Sequence, residues 1–394
     1  MRILYHHRTL GDGAEGIHIR EMVRAFRALG HEVHVIGPTG ETPPSASRKS
    51  RVLGAIKATI PSTVYELAEM AYSAYAFCSA SWEIRRFKPD FLYDRYITFN
   101  AGIILAGRLH RLPVILEVNA PLALERREEQ DEKLRLQRLA ARMERWICSN
   151  ATRTIVVSTP LKDYLESIGV PNGQCTVMPN GVDPDRFVPR PKDPDLLRQL
   201  GIPTQSFVVG FTGVLRPWHG LDLLLEATAR LIAKGLNLVV LIVGDGPYRG
   251  QMQELIMSHG LQRSILITGR VPHERVPALV SLFDVAVSPR ATFYASPMKV
   301  IEYMALGKPV VVPNTPNFLD IVDDEVNGIT FTDADIAALA DSLARVYECP
   351  QLCQLLGQHA REKVQSRLNW RWNAVRSCEL AREAGPATAA AGRL

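Results

Sequence analysis

Residues 288–312 leave few folds open to this chain. They read Ser-Pro-Arg-Ala-Thr-Phe-Tyr-Ala-Ser-Pro-Met-Lys-Val-Ile-Glu-Tyr-Met-Ala-Leu-Gly-Lys-Pro-Val-Val-Val. The apolar run 284–288 just before reads as a buried strand, and 289–297 is too rich in Pro and small residues to continue it. A helix is predicted over 298–306, because Val300, Ile301, Met304 and Ala305 fall on one face at helical spacing. Gly307 closes that helix, and 309–312 reads as a second buried strand. Strand, loop, helix and strand make one βαβ unit, and ligands of such folds sit where the loop meets the helix N-terminus. Free N–H groups and the positive end of the helix dipole face that spot, which suits a diphosphate. Glu302, one turn in, either accepts hydrogen bonds from sugar or ribose hydroxyls or is an ordinary solvated helix residue.

A chain of 394 residues exceeds one ordinary core and suits two domains. With 46% hydrophobic and 22% charged residues it reads as soluble and globular. Cys78, Cys148, Cys175, Cys349, Cys353 and Cys378 are scattered without a Cys-x-x-Cys pair, which points to thiols in a reducing compartment, not to disulfides or zinc ligands. The N-terminus runs straight into His6, His7 and Arg8, unlike a signal peptide, and no apolar run approaches the ~20 residues that span a bilayer. A cytoplasmic location is expected. The net charge of +5 is concentrated between residues 46 and 111, where ten Lys or Arg meet five Asp or Glu. Such a segment suits an anionic membrane surface or a phosphorylated acceptor. Nucleic acid is not expected, because no binding module accompanies the charge.

In chain order, 2–5 is a short strand, 17–29 a helix and 32–36 the next strand. Gly11, Gly13 and Gly16 between the first two have the dinucleotide-fingerprint spacing, yet no acid ends the second strand. Residues 64–87 read as a long helix whose face of Tyr65, Ala68, Tyr72, Tyr75, Ser79 and Trp82 ends at Arg85, Arg86 and Lys88. That helix either packs on the sheet or lies on a membrane, and Glu66, Glu69 and Glu83 weigh against the membrane. Strand 114–118 ends at Asn119, whose amide hydrogen-bonds a sugar hydroxyl or terminates the strand as an Asx-turn. Residues 122–147 read as one charged helix, and the proline-rich stretch 184–201 as the linker between domains 1–190 and 191–371. A helix over about 372–385 is expected to return to the first domain.

The opening stretch also resembles a known family. Pro297, Glu302, Met304, Ala305, Gly307, Pro309, Val310 and Val311 match the nucleotide-sugar signature of the retaining family-four glycosyltransferases, which have the GT-B fold. That signature has two glutamates separated by seven residues. Glu302 is the second, and Tyr294 stands at the first, where the family contacts the transferred sugar. The resemblance implies an α/β, GT-B architecture: two Rossmann-like doubly wound domains facing across a cleft. It also implies transfer of a sugar, with retention, from a nucleoside diphosphate donor to an acceptor hydroxyl in cell-surface or exopolysaccharide assembly.

Carried onto this chain, the family's donor site comprises Glu302, the segment Ser296, Pro297, Met298 and Lys299 acting through backbone N–H groups, and Tyr294. Gly213, Gly244 and Gly246 let backbone approach the ligand, Val271 lies near the base, and Gly13 lies near donor phosphates and acceptor. The family's two diphosphate-neutralising cations fall on Val214 and His219, so Arg216 in the same turn is the candidate to stabilise the leaving group. Asn119 stands where the family has a histidine, and completes the catalytic candidates with Arg216 and His219.

No cofactor beyond the donor substrate and no metal are expected. The Asp-x-Asp pairs at Asp183/Asp185, Asp193/Asp195 and Asp333/Asp335 read as turns or caps. The implied partners are a nucleotide-sugar donor and a glycan, lipid-linked or small-molecule acceptor, with peripheral association at the inner membrane face. Two rivals stand beside this reading. One is an NAD-dependent oxidoreductase using the Gly11 loop, and the other a catalytically degenerate scaffold, suggested by Tyr294, Val214 and Asn119.

Overall fold

A computed structural model describes residues 1–9, 14–37, 62–128 and 134–385. They form two compact units, Met1–Met178 together with the segment from Trp370, and Pro179–Asn369.

The first unit is built on six parallel strands, β1 (Arg2–His6), β2 (Glu32–Ile36), β3 (Phe91–Arg95), β4 (Val114–Val118), β5 (Arg153–Val156) and β6 (Cys175–Val177), in the order β2-β1-β3-β4-β5-β6. All five positions of β4 are buried, as expected for a strand covered by helices on both faces. The C-terminal helix Trp370–Glu383 packs on the helix Ala14–Ala28, with the rings of Trp370 and His18 4.6 Å apart.

The second unit repeats the plan with β7 (Phe207–Thr212), β8 (Leu238–Val243), β9 (Ile265–Ile267), β10 (Val285–Val287), β11 (Val310–Pro313) and β12 (Ile329–Phe331), in the order β12-β11-β10-β7-β8-β9. Every pairing is parallel, and the six residues of β8 are all buried. This is the nucleotide-binding strand order, in which the sequence of strands reverses direction between β7 and β10. The predicted strand-loop-helix-strand unit is present as β10, the helix Met298–Ala305 and β11.

Three expectations require correction. The predicted helix 122–147 is two helices, Leu122–Glu128 and Gln137–Asn150. Before the second, the backbone N–H groups of Arg135 and Leu136 donate to the Glu66 carboxylate at 2.7 and 2.8 Å, and this long-range anchor fixes a non-helical bend. The stretch 184–201 contains a helix, Pro194–Gln199, capped by Asp193, whose carboxylate accepts from the N–H groups of Asp195 and Leu196. Residues 179–190, assigned from sequence to the first domain, belong to the second unit. Asn180 donates from its backbone N–H to Ser296 Oγ (3.0 Å) and from its side chain to Ser296 O (2.8 Å), and Val182 pairs with Asn369.

The long helix Ser62–Phe87 presents a different face from the one read in the sequence. Tyr72 turns inward and meets His6 Nε2 at 3.1 Å, while Val64, Leu67, Tyr75 and Trp82 are exposed. Glu66 and Glu69 are buried, and Glu69 pairs with Arg8 and Arg126. Glu83 is only partly exposed and lies 3.4 Å from His34. Two of the three carboxylates that weighed against a membrane-facing surface therefore point into the protein.

Candidate functional site

The carboxyl ends of β7, β8 and β9 and the helix Met298–Ala305 enclose a cavity of about 640 Å³ in the second unit. Its lining includes Gly213, Val214, Gly244, Asp245, Gly246, Arg270, Val271, His273, Lys299 and Glu302. It stands at the topological switch point, where open α/β sheets bind their ligands.

The walls follow from local sequence. β7 ends in Thr212, whose N–H and hydroxyl meet the Tyr303 hydroxyl at 2.6 and 2.9 Å, so the strand end is tied to the helix. The chain then turns at Gly213 (φ +141°), and β8 turns at Gly244 (φ +146°). A Cβ on Gly244 would lie 2.0 Å from the Gly213 carbonyl oxygen, so the two turns touch backbone to backbone. Gly213 donates to Val243 O (3.0 Å) and Leu215 to Asp245 O (3.0 Å), and these bonds hold the paired turns as one rim.

Glu302 is 8% exposed, and its Oε1 lies 3.2 Å from His273 Nε2. His273 in turn meets Arg186 through Nδ1 at 2.9 Å and packs against the Phe187 ring. Sequence reasoning missed His273. Its place beside Glu302 is set by a loop 29 residues upstream, and no local pattern marks it.

Lys299, in the first turn of the same helix, reaches the cavity with its side chain. Its Nζ is buried without a hydrogen-bond partner and lies 4.3 Å from the centre of the Phe211 ring. Burial pulls its pKa down to about 7, against the opposing charge of Glu302. Ser296 is buried and committed to Asn180 through both its hydroxyl and its carbonyl. Pro297 precedes the helix in extended conformation and is followed by Met298 at its first position. Tyr294 stands outside the cavity lining and packs edge-on against Phe293.

The turn after β7 is arranged otherwise than the sequence suggests. Arg216 is exposed, stacks over Trp218 at 5.3 Å, and is absent from the cavity wall. His219 is held to the backbone of Val214, and its pKa falls to about 3, first through burial and then through the charge of Lys299. It is a neutral ring at any pH near neutrality. Neither residue supplies a positive charge inside the cavity.

Asn119 lies in the first unit, at the end of β4, where its amide donates to Glu117. Glu117 also takes Tyr93 Oη at 2.7 Å, His18 Nε2 at 3.0 Å and Arg95 at 3.2 Å. Burial opposes ionisation of Glu117, but His18, Arg95 and the Asn119 amide outweigh it and hold its carboxyl well below the usual range. Burial pushes the His18 imidazole down, against the opposing charge of Glu117. The Asn119 amide thus spends one of its two N–H groups on Glu117. Gly13 lies outside the described residues.

Both halves of the chain match families of known proteins. The model for Glycosyl transferases group 1 matches residues 192–363, and that for Glycosyltransferase Family 4 matches residues 15–186. The 2-deoxystreptamine glucosyltransferase of Streptomyces kanamyceticus is 24% identical over 85% of this chain and 89% of its own length. The D-inositol 3-phosphate glycosyltransferase of Saccharomonospora viridis is 31% identical over 61% of this chain and 58% of its own. Among solved structures, Anabaena HepE in complex with UDP superposes with a TM-score of 0.73 at 19% identity, over 97% of this chain and all of HepE. The sucrose-phosphate synthase of Thermosynechococcus elongatus gives 0.70 at 21% identity, over 97% of this chain and 98% of its own.

Proposed function

The chain belongs to the group 1, family-four glycosyltransferases of GT-B fold, and from that premise we propose that its donor is a nucleoside diphosphate sugar seated in the cavity of the second unit. The observation that carries this reading is the geometry of the rim. Two glycine turns expose backbone, a helix N-terminus faces the same space, and a buried carboxylate stands one turn inside. The N–H groups of Met298 and Lys299 suit phosphate oxygens, and the Glu302 carboxylate suits vicinal hydroxyls. Transfer proceeds with retention at the anomeric carbon. The acceptor oxygen bonds to that carbon, the bond to the diphosphate breaks with its electron pair on phosphate oxygen, and the acceptor proton passes to that phosphate. No nucleophilic side chain is required.

Binding of UDP by HepE makes UDP the first nucleotide to test. A thermal-shift panel of UDP, GDP, ADP, TDP and NAD, each with and without EDTA, distinguishes the readings. We expect stabilisation by one nucleoside diphosphate, unaffected by EDTA. A shift with NAD alone overturns the proposal.

For the acceptor we favour a lipid-linked glycan of surface-polysaccharide assembly, met at an anionic bilayer. Among the described residues no helix is long and apolar enough to cross a membrane. Nevertheless Val64, Leu67, Tyr75 and Trp82 line one exposed stripe of the helix Ser62–Phe87, and exposed Arg85, Arg86 and Lys88 stand at its end. Apolar and aromatic side chains beside cations are what an anionic interface binds. The Leu67→Ser/Trp82→Ser double variant is expected to co-sediment at least threefold less with phosphatidylglycerol vesicles, about 0.7 kcal/mol. Equal binding by the two proteins removes the membrane from the proposal. A second reading, a small polyol acceptor, is favoured by the relatives named for 2-deoxystreptamine and inositol 3-phosphate. It predicts transfer to a soluble cyclitol without vesicles.

A further inference from the structure

We infer that the Lys299 side chain carries the positive charge that stabilises the leaving diphosphate, because its ammonium is buried without a hydrogen-bond partner in the wall of the cavity, where the turn after β7 offers none. The inference rests on the donor reading above.

Three features of its position disfavour a charged lysine in the absence of a ligand. The ammonium is removed from water without a hydrogen-bond acceptor. It sits in the first turn of a helix, at the positive end of the dipole, where cations are destabilised. Its compensation is small, consisting of the Phe211 ring face at 4.3 Å and the charge of Glu302 one turn along. A lysine that served only the fold would turn outward, as long side chains at surfaces do. Here the ammonium lies beside the Gly213 backbone, in the wall of the cavity. A Cβ on Gly213 would stand 3.0 Å from Nζ, so the glycine also leaves the ammonium its room.

The other cations are placed worse. Arg216 is on the outer side of its turn against Trp218, and His219 is neutral. Arg270 lines the cavity from the turn after β9 but is exposed and solvated. As the bond between anomeric carbon and diphosphate breaks, negative charge grows on the phosphate oxygens. The Lys299 ammonium donates to them while remaining protonated, and the acceptor proton leaves with the phosphate. Bound diphosphate supplies the missing acceptor, and its charge draws the lysine fully into the protonated state. Around Lys299 stand Glu302 from its own helix, His219 from the turn after β7, Asp245 from the turn after β8, and Arg270 and His273 from the segment after β9. Of these, only Glu302 and Asp245 are acids, and Asp245 is already paired with Arg249.

The test is isothermal titration at pH 8 with uridine, UMP and UDP, repeated in buffers of different ionisation heat. If UDP gives no heat, the GDP series is used instead. Wild-type protein is expected to take up a proton on binding the diphosphate and none on binding the nucleoside. Lys299→Gln is expected to lose that uptake and to bind diphosphate about 10- to 100-fold more weakly, with nucleoside affinity unchanged and kcat reduced more than KM. Lys299→Met serves as a second variant, because a methionine fits against Phe211 and removes the buried charge. Its melting temperature is expected to equal or exceed that of the wild type. Diphosphate affinity and proton uptake unchanged in both variants overturn the inference. So does a diphosphate-specific loss in Arg216→Gln that Lys299→Gln lacks. Wild-type protein that binds no nucleoside diphosphate overturns the donor reading itself, a result distinct from either.

Discussion

Replacing Glu302 with alanine is expected to lower kcat/KM for the sugar donor about 100-fold, the cost of losing a charged hydrogen-bonding group at a desolvated site. The carboxylate is 8% exposed, so its bonds to ligand hydroxyls form with little competition from water. The substitution also strips His273 Nε2 of its partner at 3.2 Å, and leaves Lys299 without the anion that opposes its deprotonation. Because the two residues share one electrostatic neighbourhood, a Glu302→Ala/Lys299→Gln pair is expected to be non-additive. Glu302→Gln keeps the shape and one acceptor oxygen, and should lie between wild type and alanine. The measurement is steady-state donor kinetics on the three proteins. Equal kcat/KM in wild type and Glu302→Ala would remove the carboxylate from the donor site.

Gly244→Ala is expected to have the largest effect on stability. The backbone there has φ +146°, and the new methyl would stand 2.0 Å from the Gly213 carbonyl oxygen, backbone that cannot swing aside. To admit it, the turns after β7 and β8 must separate, which breaks the bonds from Gly213 to Val243 and from Leu215 to Asp245. Clash and strain together place the cost at about 3–5 kcal/mol. Gly235→Ala is the control. Gly235 also has positive φ (+88°), but a Cβ there meets nothing within 4 Å, so strain alone acts, at about 1 kcal/mol. Chemical denaturation of the two variants separates the terms. Equal destabilisation would show that the contact between the two turns yields without cost.

The fold was legible because its signals are local and repeated. β8 and β11 are unbroken apolar runs, and the helix Met298–Ala305 announces itself through Val300, Ile301, Met304 and Ala305. The break between Leu122–Glu128 and Gln137–Asn150 was not legible, because its anchor, Glu66, is about 70 residues away along the chain. The Pro194–Gln199 helix is hidden by its prolines, although Asp193 followed by Pro194 is itself a helix start. Gly213, Gly244, Gly246 and Glu302, carried over from the family resemblance, all line the cavity. Depth was not legible. Lys299 enters with its ammonium and Arg216 stays out because of the course of one turn, which side-chain type does not encode. The face of Ser62–Phe87 was misread for a similar reason. Which stripe of a helix is buried depends on partners such as Arg8, Arg126 and His6, and these come from other elements.

The first unit is closed by a helix from the far end of the chain, Trp370–Glu383, which buries Trp370, Ala374, Cys378, Leu380 and Ala381. The second unit, by contrast, is one continuous segment. The first unit therefore cannot close its core until the whole segment of the second has been made. The usual order, in which the amino-terminal domain folds first, is inverted for its final step. A nascent chain stalled after Asn369 would carry the whole segment of the second unit and an open first sheet, and Trp370–Glu383 converts that sheet into a closed domain.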